Sequence, residues 1–287
     1  MALRLQTTII FNPNSTGDGR KNSEELRDAL VSAGGEAKLI ETEHAGHAEE
    51  LAREIADKNE SAYIVSSSGD GGYHEVINGI LSSKHPKVVT GVLPSGNAND
   101  HYHFIHRGDI VQRVKSEDVD MIDILRVVTP QWTRYAHSYV GLGVTPQIGE
   151  VLTKNTLNPL KESWIVITHL FKTHPVKVRI GKNIRRYDHM VFSAIGKMSK
   201  YITLDENASA TDGLFEVTLK RHGTVFELVH HFLRAVVANE SNAQKSERYE
   251  MTMLRSTTIQ LDGEVYNLSK GDEVVVTCEK KIVRCIV

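Results

Sequence analysis

The chain has 287 residues, 40% of them hydrophobic and 24% charged, a composition typical of a globular protein long enough for two domains. Its 34 basic and 36 acidic residues give a formal net charge of −2, and no basic stripe with interleaved aromatic residues occurs, so nucleic acid is not an expected partner. No apolar run approaches the roughly 20 residues that a transmembrane helix needs. We therefore expect a cytoplasmic protein, and any contact with a membrane must be made from its surface.

The first 93 residues alternate between strand and helix periodicity. Strands are predicted at Thr7–Phe11, Ala37–Thr42, Ala62–Ser66 and Val88–Leu93. Helices are predicted between them, at Ser23–Ala33, around Ala48–Ile55 and after the third strand. Repeated βα units predict a parallel sheet with helices on both faces.

The third strand leads into a glycine turn and a helix, in the sequence YIVSSSGDGGYHEVING from Tyr63 to Gly79. Backbone N–H groups at such a junction face outward, and glycine lets a bulky anion such as phosphate come close. Asp70 would repel phosphate unless a divalent cation lies between them. The turn therefore suggests a nucleotide with Mg²⁺, although a turn that only connects strand to helix would look the same.

Four loops follow the predicted parallel strands. In sheets of this kind, ligands bind beyond the carboxyl ends of the strands. All four loops carry small, hydroxylated, amide or acidic residues, and they are Asn12–Gly17, Thr42–His47, Gly69–Gly72 and Pro94–Asp100. Four polar loops at one rim favour a nucleotide crevice over plain connections.

From about residue 128 the sequence becomes β-rich and the βα alternation stops. The predicted strand regions are Val127–Val144, Val176–Ile180, Tyr187–Ile195, Leu214–Leu219 and Thr257–Leu261. Two helices interrupt them, at Leu160–Thr173 and Thr224–Asn239, and we interpret both as core helices in preference to lipid-binding surfaces. The predicted domains are therefore 1–128, which carries the nucleotide loops, and 129–287, which is β-rich and antiparallel.

Three strings in the first domain, NPNS, SGDGGYHEVING and LPSGNAND, resemble the NPxSG, GGDGTxxEVxNG and LPxGTxND signatures of the diacylglycerol kinase catalytic-domain family. This family includes soluble bacterial lipid kinases and is similar to sphingosine and ceramide kinases. The resemblance implies an α/β N-terminal domain with a parallel sheet of the NAD kinase and diacylglycerol kinase type. It also implies a β-rich antiparallel C-terminal domain that carries the acceptor site.

The resemblance implies an ATP- and Mg²⁺-dependent lipid kinase that phosphorylates diacylglycerol or a related lipid alcohol at the membrane surface. A homodimer is an open alternative to a monomer. Asp70, Asp100 and Asp123 are expected to organise Mg²⁺ and its waters. The nucleotide is expected to contact Asn12, Pro13, Asn14, Ser15, Thr16, Thr42, Ser68, Gly69, Asp70, Gly71, Gly72, Tyr73, His74 and Asn97.

The string DENASATDGL, at Asp205–Leu214, resembles the DDGL loop of the family. That resemblance implies a structural Mg²⁺ held by the carbonyl groups of Ser209 and Leu214 and by the carboxylate of Asp212. A plain β-turn with aspartate and glycine is the alternative that the residues alone leave open.

The string LDGE, at residues 261–264, resembles the one that carries the catalytic carboxylates of the family. The resemblance implies Glu264 as general base, with Asp262 as its partner or substitute, and a charged hairpin turn would look the same. A base in one domain and a nucleotide in the other predict hinge motion near residues 124–130.

The chain departs from the family signatures at four positions. Ser68 replaces a glycine, Gly72 and Asn97 each replace a threonine, and His103 replaces an arginine. Because hydroxyl groups and a guanidinium are lost, a second hypothesis is a nucleotide-binding regulator without phosphoryl transfer. A third is an NAD kinase, which shares a GGDGT loop, but the LPSGNAND string argues against it.

Overall fold

The computed structural model describes residues 6–15, 17–106, 108–116, 119–143, 175–198, 202–203, 205, 208–224, 227 and 243–286. The chain divides into two compact units. The first comprises Met1–Ile124 and Lys280–Val287, and the second comprises Leu125–Glu279. The last eight residues, which the sequence assigned to the second domain, thus belong to the first unit.

The first unit alternates strands and helices, as the sequence predicted. Its elements are β1 (Gln6–Phe11), α1 (Gly19–Ser32), β2 (Glu36–Glu41), α2 (His47–Lys58), β3 (Tyr63–Ser68), α3 (Asp70–Leu81), β4 (Val89–Pro94), α4 (Asp100–Ile105) and α5 (Ile110–Ser116). Strand β1 pairs in parallel with β2 and β3, and β3 pairs in parallel with β4. The predicted parallel sheet is confirmed.

The C-terminal strand explains why the chain ends in the first unit. This strand, numbered β17 below, spans Glu273–Ile286. Its residues Arg284, Cys285 and Ile286 pair in parallel with β4. The sheet of this unit therefore gains a parallel strand from the far end of the sequence.

Both faces of the parallel sheet carry buried side chains. Ile9 and Val65 share a core with Leu26 and Leu30 of α1. Since successive strand residues point to opposite faces, the buried Ile64 belongs to the other face. Burial on both sides is what a parallel sheet covered by helices requires.

The second unit is an antiparallel β structure. Its strands are β6 (Thr133–Ala136), β7 (Tyr139–Gly143), β8 (Val176–Ile180), β9 (Asn183–Ser193), β10 (Lys197–Met198), β11 (Ile202–Thr203), β12 (Phe215–Arg221), β13 (Gln244–Ser246), β14 (Arg248–Met253), β15 (Thr257–Leu261) and β16 (Glu264–Leu268), together with the later part of β5 (Asp120–Val128) and the earlier part of β17. The strands follow the order β16-β15-β7-β9-β8-β14-β17. The neighbouring pairs in this order are antiparallel.

One apolar core holds this unit together, and its fully buried members include Val140, Leu142, Met190, Phe192 and Ile259. The helix predicted at Leu160–Thr173 lies outside the described residues. Of the helix predicted at Thr224–Asn239, only Thr224 and Glu227 are described. No helix in the described ranges has the length and apolar character that crossing a membrane requires.

Candidate functional site

Three loops of the first unit meet at the carboxyl ends of β1, β3 and β4. The N–H of Gly17 donates to the carbonyl of Ser95 at 2.9 Å, and the N–H of Ser95 donates to the carbonyl of Ser68 at 3.1 Å. The N–H of Asn12 lies 3.4 Å from the carbonyl oxygen of Ser67. These bonds place the first, third and fourth predicted loops side by side.

The first loop forms a tight turn around Asn12. The side-chain oxygen of Asn12 accepts the N–H of Asn14 at 2.8 Å, and its carbonyl accepts the N–H of Ser15 at 3.1 Å. The second loop begins nearby, because Thr42 donates its N–H to the last carbonyl of β1 at 2.9 Å. The described nucleotide candidates in these two loops are all partly or fully exposed: Asn12, Pro13, Asn14, Ser15 and Thr42. Thr16 lies outside the described residues.

Two glycines let the third and fourth loops approach backbone to backbone. A Cβ atom on Gly96 would lie 2.4 Å from Cα of Gly69, so a side chain would force the loops apart. Asn99 fixes the fourth loop: its Oδ1 accepts the N–H of Gly96 at 2.9 Å, and its Nδ2 donates to the carbonyl of Gly96 at 2.7 Å. The side chain of Asn97 is left exposed.

The sequence reasoning gave Asn99 no role. Its backbone is left-handed, with φ of 51°, which asparagine tolerates better than most residues. Asparagine three residues after a glycine in a polar loop was the signal that could have identified it.

Helix α3 begins at this meeting point. Its first intrahelical bond runs from the N–H of Tyr73 to the carbonyl of Gly69 at 3.2 Å, so the helix itself does not use the N–H groups of Asp70–Gly72. The side chains of Tyr73 and His74 are buried, and the Tyr73 hydroxyl lies 3.4 Å from Sγ of Cys285. These two nucleotide candidates therefore turn their side chains into the protein, and what the helix presents at its start is backbone.

Asp70 connects the third loop to the start of helix α4. One carboxylate oxygen accepts the N–H of Asp100 at 3.1 Å, and the other accepts the N–H of His101 at 3.2 Å. The sequence suggested Asp70 as a Mg²⁺ anchor. The structure adds a positioning role, and because each carboxylate oxygen can accept more than one bond, the metal role stays a prediction.

The other two carboxylates proposed for Mg²⁺ are buried. Asp100 is the first residue of α4, and Asp123 lies on β5. Oδ1 of Asp123 accepts the N–H of Lys281 at 2.7 Å, which attaches β5 to β17. The structure thus joins Asp70 to Asp100 directly and gives Asp123 a backbone partner on another strand.

Glu75 shapes the second loop, and the sequence reasoning missed it. Its carboxylate accepts the N–H of Gly46 at 2.8 Å and that of Ala48 at 3.1 Å, at the start of α2. An acidic side chain at a helix start is favoured by the helix dipole. Glu75 belongs to the EVING string, so the string itself was the available signal.

His44, His47 and Glu50 bring potential ligand atoms within 4.8 Å of one another beside the second loop. However, Nδ1 of His47 accepts the N–H of Glu43 at 3.0 Å, so the neutral ring carries its proton on Nε2. A metal on Nε2 would require this proton to move to Nδ1 and would break the bond from Glu43, so we assign no metal to this cluster.

In the second unit, Asp262 and Gly263 form the two-residue turn between β15 and β16. Leu261 pairs with Glu264 across the turn, and the φ angles of Asp262 and Gly263 are 51° and 106°, as in a type I′ hairpin. The Asp262 carboxylate is buried. It accepts the N–H groups of His137, Ser138 and Tyr139 at 2.8, 2.9 and 3.0 Å.

The two carboxylates of the LDGE string therefore have different surroundings. Asp262 fixes the segment before β7 to the hairpin. Glu264 is exposed on β16, which lies at one end of the strand order of the sheet. This arrangement favours Glu264 for contact with a substrate and gives Asp262 a positioning role.

The loop before β12 is a compact turn around Asp212. Its Oδ1 accepts the N–H of Leu214 at 3.0 Å, and its Oδ2 accepts Nζ of Lys245 at 2.7 Å. The hydroxyl of Ser209 lies 3.2 Å from that of Thr211. These contacts are those of a turn with aspartate and glycine, and they leave the proposed metal role of the loop untested.

Comparison with known proteins finds a family model that matches the first part of the chain. Residues 6–127 match the model of the diacylglycerol kinase catalytic domain. The N-terminal part of the chain is therefore similar to this catalytic domain. This similarity, together with the relatives described next, indicates an enzyme of the lipid kinase class.

Other similar proteins match most of the chain. The diacylglycerol kinase of Bacillus subtilis (strain 168) is 24% identical over 288 residues, covering 93% of this chain and 92% of the relative. That of Staphylococcus aureus (strain bovine RF122 / ET3-1) is 24% identical over 282 residues, covering 91% and 87%. The crystal structure of a diacylglycerol kinase from Bacillus anthracis str. Sterne superimposes with a TM-score of 0.68 at 17% identity, covering 98% of this chain and 96% of that one.

The family resemblance implies a structural Mg²⁺ in the Asp212 loop, and one buried side chain tests whether the residues fit it. Glu216 is 1% exposed, and within the described residues neither carboxylate oxygen has a hydrogen-bond partner. Burial raises its pKa to about 7, and Nζ of Lys245 lies 3.8 Å away. A buried carboxylate without hydrogen bonds beside a second carboxylate fits an oxygen-liganded cation.

Proposed function

We propose that this chain transfers the γ-phosphoryl group of ATP, with Mg²⁺, to the hydroxyl group of a lipid alcohol, with diacylglycerol as the first candidate. The observation that carries the proposal is the meeting of three backbone-lined loops at the ends of β1, β3 and β4, within the segment that matches the catalytic domain.

The nucleotide half of the reaction is assigned to the first unit. The N–H groups of Asp70–Gly72 suit phosphate oxygens, because the helix start favours negative charge and the glycines leave room for it. Asn12–Thr16, Thr42, Ser68 and Asn97 surround the phosphates and the nucleoside in this proposal. Asp70, Asp100 and Asp123 are proposed to hold Mg²⁺ and its waters, which would neutralise the charge of the transferred group.

The acceptor half is assigned to Glu264, as the general base that takes the proton of the lipid hydroxyl. A carboxylate is a weak base towards an alcohol, so it must lie close to the hydroxyl and be shielded from water by the bound lipid. Asp262 keeps the hairpin, and therefore Glu264, in position.

The structural Mg²⁺ is proposed to bind the carboxylates of Asp212 and Glu216 and the carbonyls of Ser209 and Leu214. In this position it would stabilise the second unit. Because the acceptor is a lipid, we also propose peripheral access to the membrane surface; homodimer formation stays a prediction.

The deciding experiment incubates the purified protein with γ-labelled ATP, Mg²⁺ and vesicles that contain diacylglycerol. Label that partitions into the organic phase as a phosphorylated lipid supports the proposal. Nucleotide binding without transfer to any lipid would support the regulator, and a water-soluble phosphorylated dinucleotide formed from NAD would support the NAD kinase.

A further inference from the structure

Two of the four departures from the family signature occupy neighbouring space. The signature has glycine and threonine at the two ends of GGDGT, whereas this chain has serine and glycine at the ends of SGDGG, at Ser68 and Gly72. The hydroxylated residue and the glycine have exchanged places. Ser68 is the last residue of β3, and Gly72 lies in the first turn of α3.

The geometry shows that the two changes depend on each other. A Cβ atom on Gly72 would lie 2.2 Å from Oγ of Ser68 and 2.6 Å from its Cβ. Both distances are far below a van der Waals contact between heavy atoms. With serine at position 68, residue 72 must be glycine, and the Ser68 hydroxyl fills the space where a side chain at position 72 would begin.

The hydroxyl has a proton that can be redirected. Oγ of Ser68 lies 2.8 Å from Oγ of Ser66 and 3.1 Å from the carbonyl oxygen of Gly69. Ser66 can donate to Ser68, which in turn donates to Gly69. The Gly69 carbonyl already accepts the N–H of Tyr73, so it keeps a partner when the Ser68 proton turns away. A bond to an anionic oxygen is stronger than the bond to a neutral carbonyl that it replaces.

We infer that Ser68 and Gly72 form a matched pair, in which the strand residue supplies to the nucleotide phosphates the hydroxyl that the helix residue lacks. The inference rests on the proposed function, because it deepens the assignment of the phosphate site. It means that the missing threonine does not mark a chain that has lost phosphate binding.

The test measures the affinity for Mg·ADP by calorimetry and the melting temperature of five variants: Ser68→Ala, Ser68→Gly, Gly72→Thr, the double variant Ser68→Gly with Gly72→Thr, and Ser82→Ala. Ser82 is the control, because its hydroxyl bonds the Gly79 carbonyl at 3.0 Å at the opposite end of α3. Ser68→Ala keeps the Cβ atom and removes only the hydroxyl.

We expect Ser68→Ala to bind Mg·ADP about tenfold more weakly, in line with the loss of one hydrogen bond to a charged group, while its affinity for adenosine and its melting temperature change little. Gly72→Thr should lower the melting temperature because of the clash. The double variant should recover both the melting temperature and an affinity for Mg·ADP within about threefold of the original chain.

Unchanged Mg·ADP affinity in Ser68→Ala, or an equal loss for adenosine and ADP, overturns the inference. A double variant that folds but binds no better than Ser68→Gly also overturns it. These outcomes leave the proposed function in place when the original chain transfers phosphate to lipid. An original chain that binds no ADP overturns the proposed function and the inference together.

Discussion

Asp70 holds the start of helix α4 through the backbone of Asp100, with 3.1 Å between the carboxylate oxygen and the N–H nitrogen. The third loop and the fourth loop are therefore coupled by a side chain, in addition to the contact between their glycines. A change at Asp70 should disturb both the fold of the first unit and the site at the ends of its strands.

The variant Asp70→Ala should lower the free energy of unfolding by about 2 kcal/mol, because two backbone N–H groups lose a charged acceptor. It should also bind Mg·ADP at least tenfold more weakly, since the loop that we propose to bind the phosphates loses its support. Urea unfolding and calorimetry measure the two effects.

Asp109→Ala is the matched control for this variant. Asp109 accepts the N–H of Gln112 at 2.9 Å at the start of α5, so its loss should cost stability without affecting ADP. Equal loss of ADP affinity in both variants would show that Asp70 acts through general stability alone.

Asp262 should be important for stability. In Asp262→Ala three buried N–H groups lose their acceptor, so the free energy of unfolding should fall by at least about 3 kcal/mol. Asp262→Asn should cost less, because asparagine keeps one acceptor oxygen and tolerates the positive φ of the turn. Urea unfolding measures the free energy of unfolding of both variants. If Asp262→Ala is more stable than Asp262→Asn, the positioning role of Asp262 is refuted.

Glu216 makes the proposed structural metal testable without an activity assay. In EDTA, Glu216→Gln should melt at a higher temperature than the original chain, because burying a neutral amide costs less than burying a carboxylate. With millimolar Mg²⁺ the original chain should gain several degrees and the variant should not. Glu273→Gln, at an exposed acid of the same unit, is the control.

Two outcomes of these melting experiments would contradict the proposed metal site. If Mg²⁺ stabilises the original chain and Glu216→Gln equally, Glu216 is not a ligand. If Mg²⁺ stabilises neither, Lys245 alone balances the carboxylates of Asp212 and Glu216.

The two cysteines should differ in reactivity. Cys285 is fully buried, and burial raises its pKa to about 12, so its thiol stays protonated through the range where a cysteine ordinarily ionises. Cys278 is half-buried. At pH 8 and under native conditions, iodoacetamide should modify Cys278 first, as read by mass spectrometry of tryptic peptides, and modification of Cys285 at the same rate would contradict the burial.

Local periodicity was enough to predict the parallel sheet of the first unit. Each of its first four strands contains the alternating or continuous apolar residues that define a strand, and polar loops follow them. What the sequence could not show are contacts between distant residues. The Asp70 carboxylate accepts a backbone N–H group 30 residues later in the sequence, and no local sequence pattern predicts such a partner.

The same limit applies to Asp262 and to the last strand. The N–H groups that Asp262 accepts lie more than 120 residues earlier. The string LDGE could therefore suggest a catalytic base, but not a buried carboxylate that binds the backbone of a distant segment. Strand β17 pairs in parallel with β4, which lies almost 200 residues earlier in the sequence. The domain boundary predicted from the sequence therefore did not assign the end of this strand to the first unit.

The most direct test of the account compares phosphoryl transfer and nucleotide binding in Glu264→Gln. Glu264 is exposed and belongs to the second unit, so the variant should keep its melting temperature and its affinity for Mg·ADP. The transfer of label from ATP to diacylglycerol vesicles should fall at least a hundredfold. A loss on this order is expected when a general base is removed. Glu273→Gln should transfer at the original rate. Full transfer by Glu264→Gln, measured beside an active original chain, would contradict the assignment of the base.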